Sequence, residues 1–197
     1  ILKLRSYVVD KVGTERHEDI IGVLIAAANI ILLNHCGPSE EIAKAIHFPE
    51  CALVIYESQM SRVGRKGNAH VEFHVCKTLG LSYGEYALEV NDVKKREYCQ
   101  KLAVNVLQRA VVLKSDCWST KFQLSLQLSE SGKIACVIEV LKSCLSLSPP
   151  TPTPWNLMAI LLSISRDFEK AMYSCDLGIR ECLKICAKTK SEQAAIS

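Results

Sequence analysis

The sequence repeats itself at a spacing of 34 residues, and this feature constrains the fold more than any other. A pattern of large and small apolar residues begins at Trp155, and the same pattern begins 34 residues earlier at Lys121. Each copy has the length and periodicity of two helices joined by a turn. Such a pair cannot bury its own apolar face, so it must stack on neighbouring pairs. The matched positions are Leu124, Ser125, Leu128, Val137, Leu141, Cys144 and Pro149 in the first copy, and Met158, Ala159, Leu162, Ala171, Cys175 and Gly178 in the second.

The spacing follows the tetratricopeptide pattern, in which small residues let two helices approach closely and proline ends the second helix. A third pair precedes the other two, but its second half comes 11 residues late, which predicts an insertion over about 84–97. We therefore expect an all-α, right-handed tetratricopeptide-type solenoid; the alternative is a helical bundle with accidental periodicity. The third pair is defined by Leu79, Gly80 and Tyr83 in its first helix and by Ala103, Leu107 and Ala110 in its second.

Breaks in the apolar pattern divide the chain into units. We expect Pro49 to start or kink a helix and Gly132 to end one. Thr153 is predicted to cap a helix with Pro154 at its first position, and Asp167 to cap the next. The expected units are N-terminal helices, forming a degenerate repeat, in 1–65; a repeat with the insertion in 66–116; repeats in 117–150 and 151–188; and a tail in 189–197.

Composition excludes several classes of function. The 24 basic and 21 acidic residues leave a net charge of +3, which gives no electrostatic basis for nucleic-acid binding. The longest apolar run, 20–33, is shorter than the roughly 20 residues of a membrane span. Ten cysteines without Cys-x-x-Cys spacing indicate a reducing, cytoplasmic setting. Because the chain opens on Ile1 rather than Met, we also expect it to be a segment of a longer array.

Four stretches of the sequence resemble the tetratricopeptide repeat protein seven family, whose fungal relatives are Ypp1-like, and the resemblance covers about residues 66–182. Members of this family are non-catalytic scaffolds of the plasma-membrane phosphatidylinositol 4-kinase type III alpha complex. The resemblance implies three protein partners, namely the lipid kinase, a hyccin-type subunit and a membrane-anchoring subunit. It also implies a cytoplasmic protein, peripheral at the plasma membrane, without a cofactor. The matching stretches are LGLSY (79–83), CQKLAVNVLQRAVVLKSD (99–116), FQLSLQLSES (122–131) and WNLMAILLSISRDFEKAMYSCDLGI (155–179).

We expect partners to bind the concave surface formed by the first helix of each pair. Its largely apolar character suits an amphipathic helix of a partner, while simple packing of adjacent helices is the alternative. A generic adaptor that binds peptide tails is a further alternative, in which Lys77 and Asn156 would hold a terminal carboxylate. The positions expected on this surface are His74, Lys77, Leu81, Phe122, Leu126, Asn156, Ile160 and Ile164.

Three residues form an H-x3-H-x-C cluster, and two of them, His70 and His74, lie one turn apart. Such a pair could face a zinc ion, so a metal-binding helical module is another alternative. Cys76 takes a core position of the repeat, and we therefore predict solvated histidines and no metal. Helical spacing also predicts that Cys175, Cys182 and Cys186 pack in a seam, with a redox pair as the alternative.

No Gly-rich phosphate loop, G-x-S-x-G elbow or H-E-x-x-H motif is present, so we do not expect an enzyme. Three basic clusters could make weak contact with anionic lipids, although a solvated surface explains them equally. These clusters are Arg62, Arg65 and Lys66; Lys94, Lys95 and Arg96; and Lys184, Lys188 and Lys190.

Overall fold

The computed structural model describes residues 17–34, 39–63, 68–147, 149 and 151–196. These residues form α-helices and contain no strand. The chain divides into two compact units, residues 1–115 and 116–197. The helices are α1 (His17–Leu33), α2 (Ser39–Val63), α3 (Ala69–Glu89), α4 (Val93–Leu113), α5 (Trp118–Glu130), α6 (Ile134–Leu145), α7 (Thr153–Ile164) and α8 (Phe168–Ile196).

The first unit contains α1 to α4. Each helix packs against the next along the chain, and α3 also packs against α1. A Cβ placed on Gly80 would lie 2.6 Å from Cγ of Leu107, so α3 and α4 meet where only glycine fits. This is the close approach that the repeat pattern requires of a small residue. One cluster of the core of this unit contains Ile21, Ala52, Ile55, Tyr56 and Val75.

One carboxylate on α3 joins three helices of this unit. The hydroxyl of Tyr56, on α2, donates to Glu72 at 3.0 Å. Nε of Arg109, on α4, donates to the other oxygen of Glu72 at 2.7 Å. Burial first, and then the bond to Glu72, raise the pKa of Tyr56 to about 12. The three side chains therefore tie α2, α3 and α4 together through one acceptor.

Pro49 does not start a helix, because α2 runs without interruption from Ser39 to Val63. That Pro49 kinks the helix stays a prediction. Proline has no N–H, so the carbonyl of Ala45, one turn earlier, loses its donor within the helix. Ser82 on α3 supplies the missing donor, since its buried hydroxyl lies 2.8 Å from that carbonyl oxygen. The same hydroxyl lies 3.0 Å from the carbonyl oxygen of Thr78. The expected helix start at Pro49 was wrong because a contact distant in sequence compensates the proline.

The predicted insertion, about 84–97, falls mainly within two helices rather than in the loop between them. α3 continues to Glu89 and α4 begins at Val93. Asp92 caps α4, and its carboxylate accepts hydrogen bonds from the backbone N–H groups of Lys94 and Lys95 at 2.9 and 3.2 Å. The cap fixes the start of α4 shortly after α3 ends.

The second unit contains α5 to α8, and each helix packs against the next. Gly132 has a φ of +71° immediately after α5, which confirms that it ends this helix. A Cβ placed on Gly178 would lie 3.3 Å from Cβ of Trp155, so α8 approaches α7 closely. The fully buried side chains of this unit include Val137, Leu141 and Cys144 on α6.

The ends of α7 and α8 differ in part from the predictions. Pro152, and not Thr153, occupies the cap position of α7, and no side chain bonds to the free N–H groups there. Asp167 caps α8 as predicted, since its carboxylate lies 3.4 Å from the backbone nitrogen of Lys170. The segment set apart as a tail continues α8 through Ile196. Residues 1–16, 35–38 and 64–67, all within the expected N-terminal unit or at its boundary, lie outside the described residues.

Candidate partner-binding groove

The repeat-defining residues lie in the contacts between paired helices. Tyr83, Trp155 and Leu162 are half-buried, Cys175 is exposed, and the others are buried. The hydroxyl of buried Ser125 donates to the carbonyl oxygen of Lys121 at 2.9 Å, so its polar atom is satisfied. These positions therefore hold the helices together and are not available to a partner. The buried members are Leu79, Gly80, Ala103, Ala110, Leu124, Ser125, Leu128, Pro149, Ala159, Ala171 and Gly178.

An open cavity of about 410 Å³ lies between α1 and α3 in the first unit. His74, Lys77 and Leu81, which the repeat phase places on the concave surface, lie together along one wall. We call this cavity the α1–α3 groove. Its lining residues are Asn29, Leu32, Leu33, His74, Lys77, Thr78, Leu81 and Glu85.

The α1–α3 groove combines apolar side chains with mixed polar groups. Burial first, and then neighbouring His70, lower the pKa of His74. Its imidazole is therefore neutral near pH 7 and offers one donor and one acceptor. Thr78 donates to the amide oxygen of Asn29 at 3.4 Å, which links the two walls. Lys77 and Glu85 add one charge of each sign, so the lining has no net charge.

Sequence reasoning missed the α1 wall of the groove, namely Asn29, Leu32 and Leu33. The 34-residue repeat pattern was matched only from residue 70 onward. It therefore predicted no residue of α1 on the binding surface. The signal that could have found this wall was the length of the apolar helical segment. In the structure, Leu33 of this segment remains largely exposed.

In the second unit, five residues were predicted to face a partner. Phe122 and Leu126 on α5 are half-buried, whereas Ile160 and Ile164 on α7 are exposed. The amide oxygen of Asn156 lies 3.1 Å from the position of a Cβ on Gly178, which places this side chain beside α8. That these side chains form one binding surface stays a prediction.

The H-x3-H-x-C cluster is split by the fold. The Nε2 atoms of His70 and His74 lie 3.3 Å apart on the surface of α3. Cys76 is fully buried, and burial raises the pKa of its thiol to about 11. Within the described ranges, no group of three or more His, Cys, Asp or Glu side chains is arranged around a metal position.

The cysteines divide into buried and exposed sets. Cys76 and Cys144 are buried, as the repeat phase predicts, and burial raises the pKa of the Cys144 thiol to about 11. The predicted packing of Cys175, Cys182 and Cys186 is wrong, because all three are exposed on α8. Ser174, and not Cys175, takes the buried position next to α7.

Two of the three basic clusters have side chains that the structure describes, in whole or in part. Arg96 donates through Nε and Nη2 to the carbonyl oxygen of Val90 at 3.2 and 3.0 Å, beside exposed Lys94 and Lys95. Lys184 pairs with Glu181 at 2.6 Å. The first cluster and Lys190 lie outside the side chains that the structure describes.

Among the helices of the described residues, none combines the length and apolar character that a membrane crossing needs. No protein-family model matches the chain, and no curated protein matches it. Solved structures do match. The chain is similar to TTC0263, a thermophilic TPR protein in Thermus thermophilus, with a TM-score of 0.52 and 15% identity, over 94% of this chain and 100% of that chain.

The chain has a tetratricopeptide-like fold. It is also similar to MamA, with a TM-score of 0.52 and 15% identity, over 83% of this chain and 89% of that chain. A further MamA structure, AMB-1, gives a TM-score of 0.51 and 16% identity, over 91% and 92% of the two chains. The predicted fold class, an all-α tetratricopeptide-type solenoid, is confirmed, whereas the right-handed superhelix stays a prediction.

Proposed function

We propose that this chain is a non-catalytic protein-interaction scaffold that holds a partner in the α1–α3 groove. One observation carries the proposal. Three side chains that the repeat spacing predicts on the concave surface, His74, Lys77 and Leu81, line the same open cavity. The tetratricopeptide-like fold supports it, because repeats of this type stack into extended concave binding surfaces.

The lining favours an amphipathic helix as the occupant of the groove. Leu32, Leu33 and Leu81 can receive an apolar stripe, and Lys77 and Glu85 can pair with charges at its edges. A peptide tail with a terminal carboxylate fits less well, because the carboxylate of Glu85 lines the same cavity as Lys77. A generic adaptor for such tails is therefore the second choice.

The proposed setting is the plasma-membrane phosphatidylinositol 4-kinase complex, with the lipid kinase, the hyccin-type subunit and the membrane-anchoring subunit as partners. The protein would then be cytoplasmic and peripheral at the membrane. Support comes from the four stretches of sequence within residues 66–182 that resemble the tetratricopeptide repeat protein seven family.

Affinity capture from cell extract followed by mass spectrometry tests this setting. We expect the lipid kinase and its two companion subunits to be recovered with the folded chain. Recovery of none of them, with circular dichroism showing an intact helical protein, would contradict membership of this complex. The scaffold proposal would not be affected.

A matched pair of variants tests the groove. Leu33 in the groove and Val112 on α4 are exposed by 85% and 84%, so Asp at either position should leave the fold intact. We expect Leu33→Asp to weaken binding of a captured partner by about tenfold, or about 1.4 kcal/mol, and Val112→Asp to leave it unchanged. Equal affinities for both variants would rule out the groove as the binding site.

Binding of an acidic C-terminal peptide that Lys77→Ala abolishes would instead support the adaptor.

A further inference from the structure

Two histidines of α3 are in contact beside the α1–α3 groove. His74 lines the groove and is half-buried, whereas His70, one turn earlier, is exposed. Their Nε2 atoms lie 3.3 Å apart. A hydrogen bond between two ring nitrogens requires a proton on one of them and a lone pair on the other. The contact therefore exists only while one of the two Nε2 atoms carries no proton.

Protonation of this pair occurs in two coupled steps with different consequences. The first proton goes to the exposed ring of His70, because water stabilises its charge, and the charged Nε2–H can still donate to His74. The second proton goes to His74 and leaves two N–H groups facing each other without an acceptor. The contact is then lost, and a positive charge stands in the groove wall.

A second ring holds His74 in this wall. Phe73 and His74 meet edge to face, with ring centroids 5.1 Å apart. Phe73 is buried, so it does not move aside with the surface side chains. The buried phenyl ring anchors the imidazole in the wall, and a charge on His74 therefore faces whatever occupies the groove.

The charges around His74 oppose a further positive charge. The pKa of His74 is lowered first by burial, and then by His70, Lys77 and Lys114. Lys77 lies on α3 in the groove lining, and Lys114 follows the end of α4. His74 therefore becomes charged only below pH 6.5, the ordinary pKa of an imidazole.

The α1 side of the groove offers no compensating charge. The carboxylates of α1, Glu18 and Asp19, lie in the first turn of that helix. Oε1 of Glu18 lies 3.4 Å from the side-chain nitrogen of Asn68, which precedes His74 by about two turns. The lining residues that α1 contributes are Asn29, Leu32 and Leu33.

The carboxylates of the other helices packed on α3 are engaged away from His74. Glu72 on α3 and Glu57 on α2 both pair with Arg109 of α4, at 2.6 and 3.5 Å. Glu85 lines the groove about three turns after His74, or about 16 Å along the helix axis. A cationic His74 gains no ion pair from these groups.

We propose that protonation of His74 releases the occupant of the α1–α3 groove, so that the groove binds a partner near neutral pH and empties on acidification. This switch rests on the proposed function, since it regulates the same site. An apolar helix seated on the groove removes water from His74, and burying a charged group without a partner is costly. Binding of the helix and protonation of His74 therefore exclude each other.

A hydrocarbon-stapled helical peptide with a leucine stripe, and with no side chain that titrates between pH 5 and pH 8, serves as the probe. Its Kd for the full chain is measured by fluorescence anisotropy at constant ionic strength. Below the pKa of His74 we expect the Kd to rise by up to about tenfold per pH unit, because one proton must leave on binding. At pH 5 the peptide should bind at least about tenfold more weakly than at pH 7. The same Kd at both pH values, with circular dichroism showing an intact helical chain, would overturn the switch.

Two histidine variants locate the group that titrates. His74→Gln keeps a polar amide that cannot become charged, so it should bind the peptide at pH 5 as tightly as at pH 7. His47 is half-buried on α2 and is not part of the groove lining, so His47→Gln should keep the pH dependence of the wild type. A pH dependence that His74→Gln retains, or that His47→Gln removes, would overturn the assignment to His74.

NMR titration of the histidine Cε1–H signals tests the pair without any partner. We expect His74 to titrate below pH 6.5, and His70→Ala to raise its midpoint because a neighbouring positive charge is removed. An unchanged midpoint in His70→Ala would contradict the coupling of the two rings. A peptide that binds at neither pH, although the rings titrate as expected, would contradict the proposed function and the switch together. Binding that does not vary with pH would contradict the switch alone.

Discussion

Gly80 stands where α3 meets α4 with no room for a side chain. A methyl group there would overlap Cγ of Leu107, which is itself fully buried. We expect Gly80→Ala to lower the free energy of unfolding by about 1–3 kcal/mol through overpacking. A Cβ added at Gly22 on α1 would meet no atom within 4 Å, so Gly22→Ala should instead stabilise by about 0.5–1 kcal/mol. Urea denaturation of both variants measures the difference, and equal effects would refute the close contact.

Tyr56 makes the stability of the first unit sensitive to alkaline pH. Its pKa in the folded protein is about 12, above the ordinary value of 10.0, so the folded state holds the proton more tightly. The stabilisation that comes from this raised pKa is complete below about pH 10 and is lost as the pH rises towards about 12. We expect the free energy of unfolding to fall over this range by about 1 kcal/mol more in the wild type than in Tyr56→Phe. Parallel pH profiles for the two proteins would contradict this role.

At the level of a helix, the continuity of α2 depends on a residue of α3. Ser82 donates to the carbonyl oxygen of Ala45, which Pro49 leaves without a donor. Ser82→Ala should cost about 1–3 kcal/mol, because a buried acceptor is left unsatisfied. In a Pro49→Ala background the new N–H can bond the same oxygen, so the cost should fall to less than half. Denaturation of the wild type, the two single variants and the double variant measures how the two substitutions combine. Additive losses in the free energy of unfolding would exclude the compensation.

The sequence predicts the helices but not every contact between them. The phase of Leu79, Gly80 and Ala103 predicts burial correctly, since a small residue at a close helix contact is a local requirement. The continuity of α2 at Pro49 depends on Ser82, which lies in another helix. A rule based on neighbouring residues alone cannot predict this contact. The exposure of Cys175 has a similar origin, because burial at that position requires a further helix outside α8.

At the scale of the whole molecule, the chain divides into two compact units, residues 1–115 and 116–197. The first unit presents the α1–α3 groove, with walls that the repeat phase predicts for α3 but not for α1. The solved structures to which the chain is similar share the tetratricopeptide-like fold at 15% and 16% identity, so this likeness shows the fold alone.

Hydrogen–deuterium exchange of the full chain, with and without a captured partner, tests the central claim that the partner sits between α1 and α3. We expect slower exchange in peptides that cover 26–33 and 74–85, which contain the groove residues, and unchanged exchange in 104–113 of α4. Unchanged exchange in both groove segments, with protection elsewhere in the bound chain, would contradict the account.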